Sequence, residues 1–134
     1  MKNWIVYIGF FVAFMACRSE ELTENNSDDL KLRLEQLAIQ IDNVININCD
    51  ITCFDLSECG CNTIALGTKP CGGPWDYLIF NAFSTDVDQL KNLVDEYNLV
   101  NEQYNEQEGL ISDCMYLTSP DVACVANLCQ VVNH

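Results

Sequence analysis

NTIALGTKPCGGPWDYLIFNAF, residues 62–83, decides how the rest of the chain is read. NTIALG (62–67) and DYLIFNAF (76–83) have the β-branched and aromatic content of strands, and GTKPCGGPW (67–75) separates them. The run Tyr77-Leu78-Ile79-Phe80 puts apolar side chains on both faces, so this strand is expected to be covered from both sides. The connecting stretch admits three uses. A phosphate loop needs G-x4-G-K-[ST] opening a helix. Here Lys69 precedes the paired glycines, Pro70 and Pro74 remove two N–H donors, and a strand follows. The reactive loop of a trypsin inhibitor would use Lys69, but Pro70 directly after it makes a poor substrate mimic. A turn asks nothing more: Gly72 and Gly73 supply backbone conformations closed to other residues, the prolines restrict the loop, and Cys71 pins it. If this turn also binds something, Lys69, Gly72, Gly73 and Trp75 form its loop. The expected place for Trp75 is against the sheet.

On either side of this strand pair the apolar period changes from two to 3.6. Leu30, Leu34, Leu37, Ile41 and Val44 recur at alternating steps of four and three, widened by Ala38 and Ile45. This predicts an amphipathic helix over 28–46, with Ser27, Asp28 and Asp29 at its positive end. A second stripe, Val87, Leu90, Leu93, Val94, Tyr97, Val100 and Tyr104, predicts a helix opened by Thr85, with Asp88 three residues on. Its opposite face carries Asp95, Glu96, Asn98, Glu102 and Asn105, and Gly109 is the C-cap candidate. Both stripes are too short for a coiled coil, so they are expected to pack on the domain's own core. The fold class is α+β, with two amphipathic helices on a small antiparallel sheet.

Cysteines staple the remainder. Of nine in the chain, all but Cys17 fall at Cys49, Cys53, Cys59, Cys61, Cys71, Cys114, Cys124 and Cys129. This even, dense set predicts a disulfide framework in an oxidising compartment, with many connectivities open. Residues 48–61 lack a sustained period and read as a stapled loop. From Asp113 onward the pattern suggests a strand, a Ser119-Pro120 break and a hairpin. If Ala126-Asn127 is the two-residue turn of that hairpin, Cys124 and Cys129 face each other.

The N-terminus gives the destination. Lys2 and an apolar run from Trp4 to Ala16 form a signal-like segment, shorter than the roughly 20 residues of a transmembrane helix. Phe14-Met15-Ala16-Cys17 resembles the lipobox of bacterial lipoproteins. The resemblance implies removal of residues 1–16, lipidation of Cys17, and a membrane anchor made by its acyl chains. RSEELTENNSD, from Arg18 on, is polar and acidic, so 17–27 reads as a tether and 28–134 as one cysteine-rich domain. Cys17-Arg18-Ser19-Glu20-Glu21 also looks like the acidic tags of surface lipoproteins in Bacteroidetes. The mature chain resembles the small cysteine-rich lipoproteins of that group, which implies a lipid-anchored place in the cell envelope, on the outer membrane's periplasmic or surface face.

Charge and residue content narrow the function. The net charge is −14, from 20 acidic and six basic residues, which repels nucleic acid. The single histidine, His134, is the last residue, so no interior imidazole can serve a nucleophile and no catalytic residue is assigned. Cys49-x3-Cys53 and Cys59-Gly60-Cys61 lack the common C-x2-C metal half-site, and no D-x-D-x-D-G calcium loop occurs. No cofactor or metal is expected. The function expected is a membrane-tethered binding module for a protein or envelope component. The alternatives are a secreted hydrolase inhibitor, acting through a loop such as Tyr116-Leu117-Thr118-Ser119-Pro120, and thiol–disulfide exchange at Cys59-Gly60-Cys61.

Overall fold

The structure, a computed structural model, describes residues 24–50, 52–53 and 59–133. The signal-like segment, Cys17, most of the acidic tether and His134 lie outside the described residues. The elements run α1 (Glu24–Val44), β1 (Cys61–Leu66), β2 (Asp76–Asn81), α2 (Val87–Glu108), β3 (Asp121–Val125) and β4 (Leu128–Asn133). This is an α+β fold, and its antiparallel strands divide into two hairpins, β1–β2 and β3–β4. No helix among the described residues is long and apolar enough to cross a membrane.

The two helices pack on each other along their apolar stripes. Leu37 and Ile41 of α1 and Leu90 and Val94 of α2 are fully buried. Each such side chain contributes roughly 1.5–3 kcal/mol of burial. The even-numbered residues of the first hairpin, Ile64, Leu66, Leu78 and Phe80, face this helical layer and complete the core. Its odd-numbered residues face the part of the chain that follows α2. Thr63 shares a hydrogen bond with Ser119, the Tyr77 hydroxyl donates to the Leu117 carbonyl, and Cys61 is bridged to Cys129 of β4. The β1–β2 hairpin is therefore the middle layer, as the two-faced YLIF run requires.

Helix ends differ in part from the pattern. α1 begins at Glu24, so Ser27 lies inside the helix rather than at its cap, and donates to Glu108 at the far end of α2. The last residues assigned to the tether are thus helical. The N-cap of α2 is Asp86, whose carboxylate accepts the Gln89 N–H. Thr85 bonds elsewhere, because its hydroxyl accepts the Asn46 N–H at 3.0 Å and donates to the Asn46 carbonyl at 3.2 Å. That pair of bonds ties the exit of α1 to the entry of α2. At the other end Gly109 closes α2 in the left-handed conformation, φ 60°. Leu110 N–H bonds back to Asn105 and Gly109 N–H to Glu106, the paired pattern of a Schellman cap.

The second hairpin turns at Ala126 and Asn127, both with positive φ, and pairs Cys124 with Cys129. The strand expected after Asp113 is absent: residues 110–120 form no regular element. Asp113 accepts the N–H of Met115, and Cys114 has φ 55°, a left-handed backbone that no strand accommodates.

Candidate functional site

The turn between β1 and β2 is held by bonds of its own and from two sides. Lys69 N–H reaches the Gly73 carbonyl at 2.8 Å, Gly72 N–H reaches Lys69 at 2.7 Å, and Trp75 N–H reaches Leu66 at 3.1 Å. From one side, α2 supplies asparagines at steps of three and four. Asn98 accepts the Gly67 N–H at 2.6 Å, Asn101 accepts the Thr68 N–H at 2.8 Å, and Asn105 donates to the Thr68 carbonyl. Asn101 and Asn105 are buried and Asn98 half-buried, which corrects the reading of Asn98 and Asn105 as a solvated face. These amides occupy the row beside the apolar stripe because a turn's free backbone groups need partners once they are removed from water.

From the other side the turn is tied to the loop after α2. Cys71 is bridged to Cys114, and its N–H donates to the Ser112 hydroxyl at 3.3 Å. Lys69 is only 5% exposed. Its ammonium donates to the Met115 carbonyl at 2.9 Å, lies 3.5 Å from the Asp113 carboxylate, and sits 5.4 Å from the centre of the Trp75 ring. The N–H of Met115 and the charge of Lys69 hold the Asp113 carboxyl below the usual aspartate range.

Of the four residues expected to form a binding loop, Lys69 is therefore internal, with its charge committed to the neighbouring loop. Trp75 is neither core nor free. It packs across Gly67 and is 42% exposed. Gly72 and Gly73 are exposed with open space around them.

What this anchoring presents is the loop itself. Ile111 is 92% exposed, Tyr116 81% and Met115 69%, with Leu110 and Leu117 also open to solvent. Between this loop and the first hairpin runs a groove of about 530 Å³. Tyr77, Tyr116, Leu117, Pro120 and Val131 supply its apolar wall, and Asp76 and Asp121 its carboxylates. Sequence reasoning names Tyr116–Pro120 only as an alternative loop and does not single out Ile111 or Met115. A signal for them is present in the chain: five large apolar residues fall between Gly109 and Thr118, outside any helical period.

All eight cysteines after Cys17 are paired: Cys49–Cys124, Cys53–Cys59, Cys61–Cys129 and Cys71–Cys114. Cys59 and Cys61 are bridged to different partners, so the short Cys59-Gly60-Cys61 bridge does not form. Gly60, at φ 72°, lies under the Phe83 ring, where an added Cβ would fall 2.6 Å from a ring carbon.

The chain matches no protein-family model, no curated protein and no solved structure.

Proposed function

We propose that this chain is an exported, lipid-tethered binding module whose contact surface is the loop 110–120 and the groove beside it. The observation that carries the reading is the outward display of Ile111, Met115 and Tyr116 on a segment locked by a disulfide, a buried lysine and a capped helix end. Large apolar side chains displayed together on one exposed loop are a recurrent mark of association surfaces. Holding it rigid lowers the ordering cost of binding. The partner that fits is a protein or envelope component with an apolar depression bordered by lysine or arginine. Asp76 and Asp121 lie in the groove, and the net charge of −14 attracts a cationic surface.

Lipid tethering rests on the resemblance of Phe14-Met15-Ala16-Cys17 to a lipobox, and no catalytic role is assigned. Cys17→Ser is expected to abolish fatty-acid labelling, and retained labelling would remove the tether from the proposal. For the binding surface, Ile111→Ser with Tyr116→Ser should eliminate the complex recovered by crosslinking in the native cell while leaving the fold intact. Recovery of the same complex from this variant would place the contact elsewhere.

A second reading, inhibition of an extracellular hydrolase, draws on the irregular, disulfide-tethered conformation of the same loop. It requires dose-dependent inhibition of a protease or lysozyme that Tyr116→Ala weakens.

A further inference from the structure

The bridges Cys49–Cys124 and Cys61–Cys129 are neighbours. The sulfurs of Cys49, Cys61 and Cys129 all lie within 4.8 Å of one another. Cys124 and Cys129 are directly paired across the β3–β4 hairpin. The N–H of Cys129 points away from β3 and donates to the Ile47 carbonyl at 2.8 Å, so this is the non-hydrogen-bonded kind of antiparallel pair. Such pairs have Cα atoms about 4.5 Å apart, inside the range a disulfide spans. The alternative pairing is thus within reach: the Cys49 and Cys61 sulfurs are already neighbours, and Cys124 and Cys129 are cross-strand partners.

We infer that these four cysteines form one disulfide-exchange unit, in which an external thiol catalyses interconversion between a clamped and a released state of the β3–β4 hairpin. Cys129 is buried at 3% exposure; Cys49, Cys61 and Cys124 are half-buried, and of these four it is Cys49 that lines an open cleft of about 380 Å³, together with Asn48, Asp50, Cys59, Phe83 and Asn127. Entry is therefore at Cys49. A thiolate of the external thiol attacks the Cys49 sulfur, forming a mixed disulfide and expelling Cys124 as a thiolate. Cys124 attacks Cys129 across the hairpin, closing Cys124–Cys129 and expelling the Cys61 thiolate. Cys61 then attacks Cys49 in the mixed disulfide, closing Cys49–Cys61 and returning the external thiolate. Three S–S bonds break and three form, and nothing is oxidised or reduced overall.

The exchange changes what the bridges hold. In the clamped state β3 is tied to the Asn46–Asp50 segment through Cys49, and β4 to β1 through Cys61. In the released state the hairpin is bridged only within itself. Its remaining local tie to the Asn46–Asp50 segment is the pair of backbone bonds Cys49 to Asn127 and Cys129 to Ile47. The face of β1–β2 that carries Thr63 and Asn81 becomes the surface it can uncover. Cys53–Cys59 and Cys71–Cys114 stand outside the unit, so the apolar loop keeps its own pin throughout. The inference is independent of the partner proposed for that loop.

The test uses the oxidised full chain with a substoichiometric amount of reduced glutathione, acid quenching, and peptic mapping of the bridges by mass spectrometry. The expected result is that Cys124–Cys129 and Cys49–Cys61 arise together in equal amounts, with the glutathione recovered and the other two bridges unchanged. Unaltered pairing, loss of Cys49–Cys124 to mixed disulfides without the new pair, or scrambling of all four bridges would overturn it. In a second variant, Cys49→Ser with Cys61→Ser, Cys124 and Cys129 should oxidise to each other and resist maleimide. Two maleimide-reactive thiols in that variant would contradict the inference.

Discussion

The ammonium of Lys69 lies 3.5 Å from the carboxylate of Asp113, and this contact joins the turn between β1 and β2 to the exposed loop after α2. Lysine is rarely buried unless its charge is satisfied, and here the Met115 carbonyl completes the set. The turn and the apolar loop are thus one mechanical unit.

Lys69→Ala should destabilise the protein by about 1–3 kcal/mol, since it removes a charge-assisted bond and leaves the Met115 carbonyl without that donor. The loop should also become the first site of proteolytic cleavage. Denaturant unfolding with limited proteolysis checks both, and an unchanged cleavage pattern would mean that the disulfide alone fixes the loop.

The asparagine row on α2 makes a second prediction. Asn101→Ala removes the acceptor for the Thr68 N–H, and Asn105→Ala removes the donor to the Thr68 carbonyl. Each should cost about 1–3 kcal/mol, the penalty of leaving a buried polar group unpaired. Because both act on one residue, the double variant should lose less than the sum of the two single variants. Simple additivity in the denaturation midpoints would argue that the turn does not respond as a unit.

Acidification should expose the contribution of Asp113. Its carboxyl is held below the usual aspartate range by the Met115 N–H and then by Lys69. A depressed folded-state value means the unfolded chain takes up a proton first. The stabilisation is therefore complete above the ordinary aspartate pKa of about 3.9 and disappears as pH falls through the lower folded value. Asp113→Asn should be less stable than the parent at pH 6, with the gap narrowing below about pH 4. A gap independent of pH would remove the electrostatic account.

Gly60 and Gly72 separate backbone strain from crowding. Both have positive φ, but a Cβ at Gly60 would press on the Phe83 ring and on Asn81, while one at Gly72 would meet nothing within 4 Å. Gly72→Ala should cost on the order of 1–2 kcal/mol for the left-handed conformation alone. Gly60→Ala should cost more, and thermal unfolding that ranks the pair the other way would be inconsistent with this packing.

These relationships mark where sequence reasoning stops. Apolar periodicity announces both helices, because a stripe such as Leu34, Leu37 and Ile41 has one way to be buried. Gly109 and the Ala126-Asn127 turn are legible for a similar reason: each is a local conformation set by adjacent residues. Asn101 and Asn105 are different, since their partners belong to a turn more than 30 residues earlier and an asparagine looks alike whether it meets water or a backbone amide. Lys69 misleads in the same way. The cysteine pairing depends on which strands meet, which spacing along the chain does not encode. The strand expected beyond Asp113 gives way to a left-handed Cys114, fixed by a partner far away in the sequence.

If the loop 110–120 is the contact surface, as proposed, it should crosslink to its partner directly. The most direct measurement places a photo-crosslinking amino acid at Tyr116, and separately at the exposed α2 position Gln103, in the full chain in its native cell. One discrete adduct is expected from position 116, and none of that mass from position 103. No adduct at 116, or the same adducts from both positions, would contradict it.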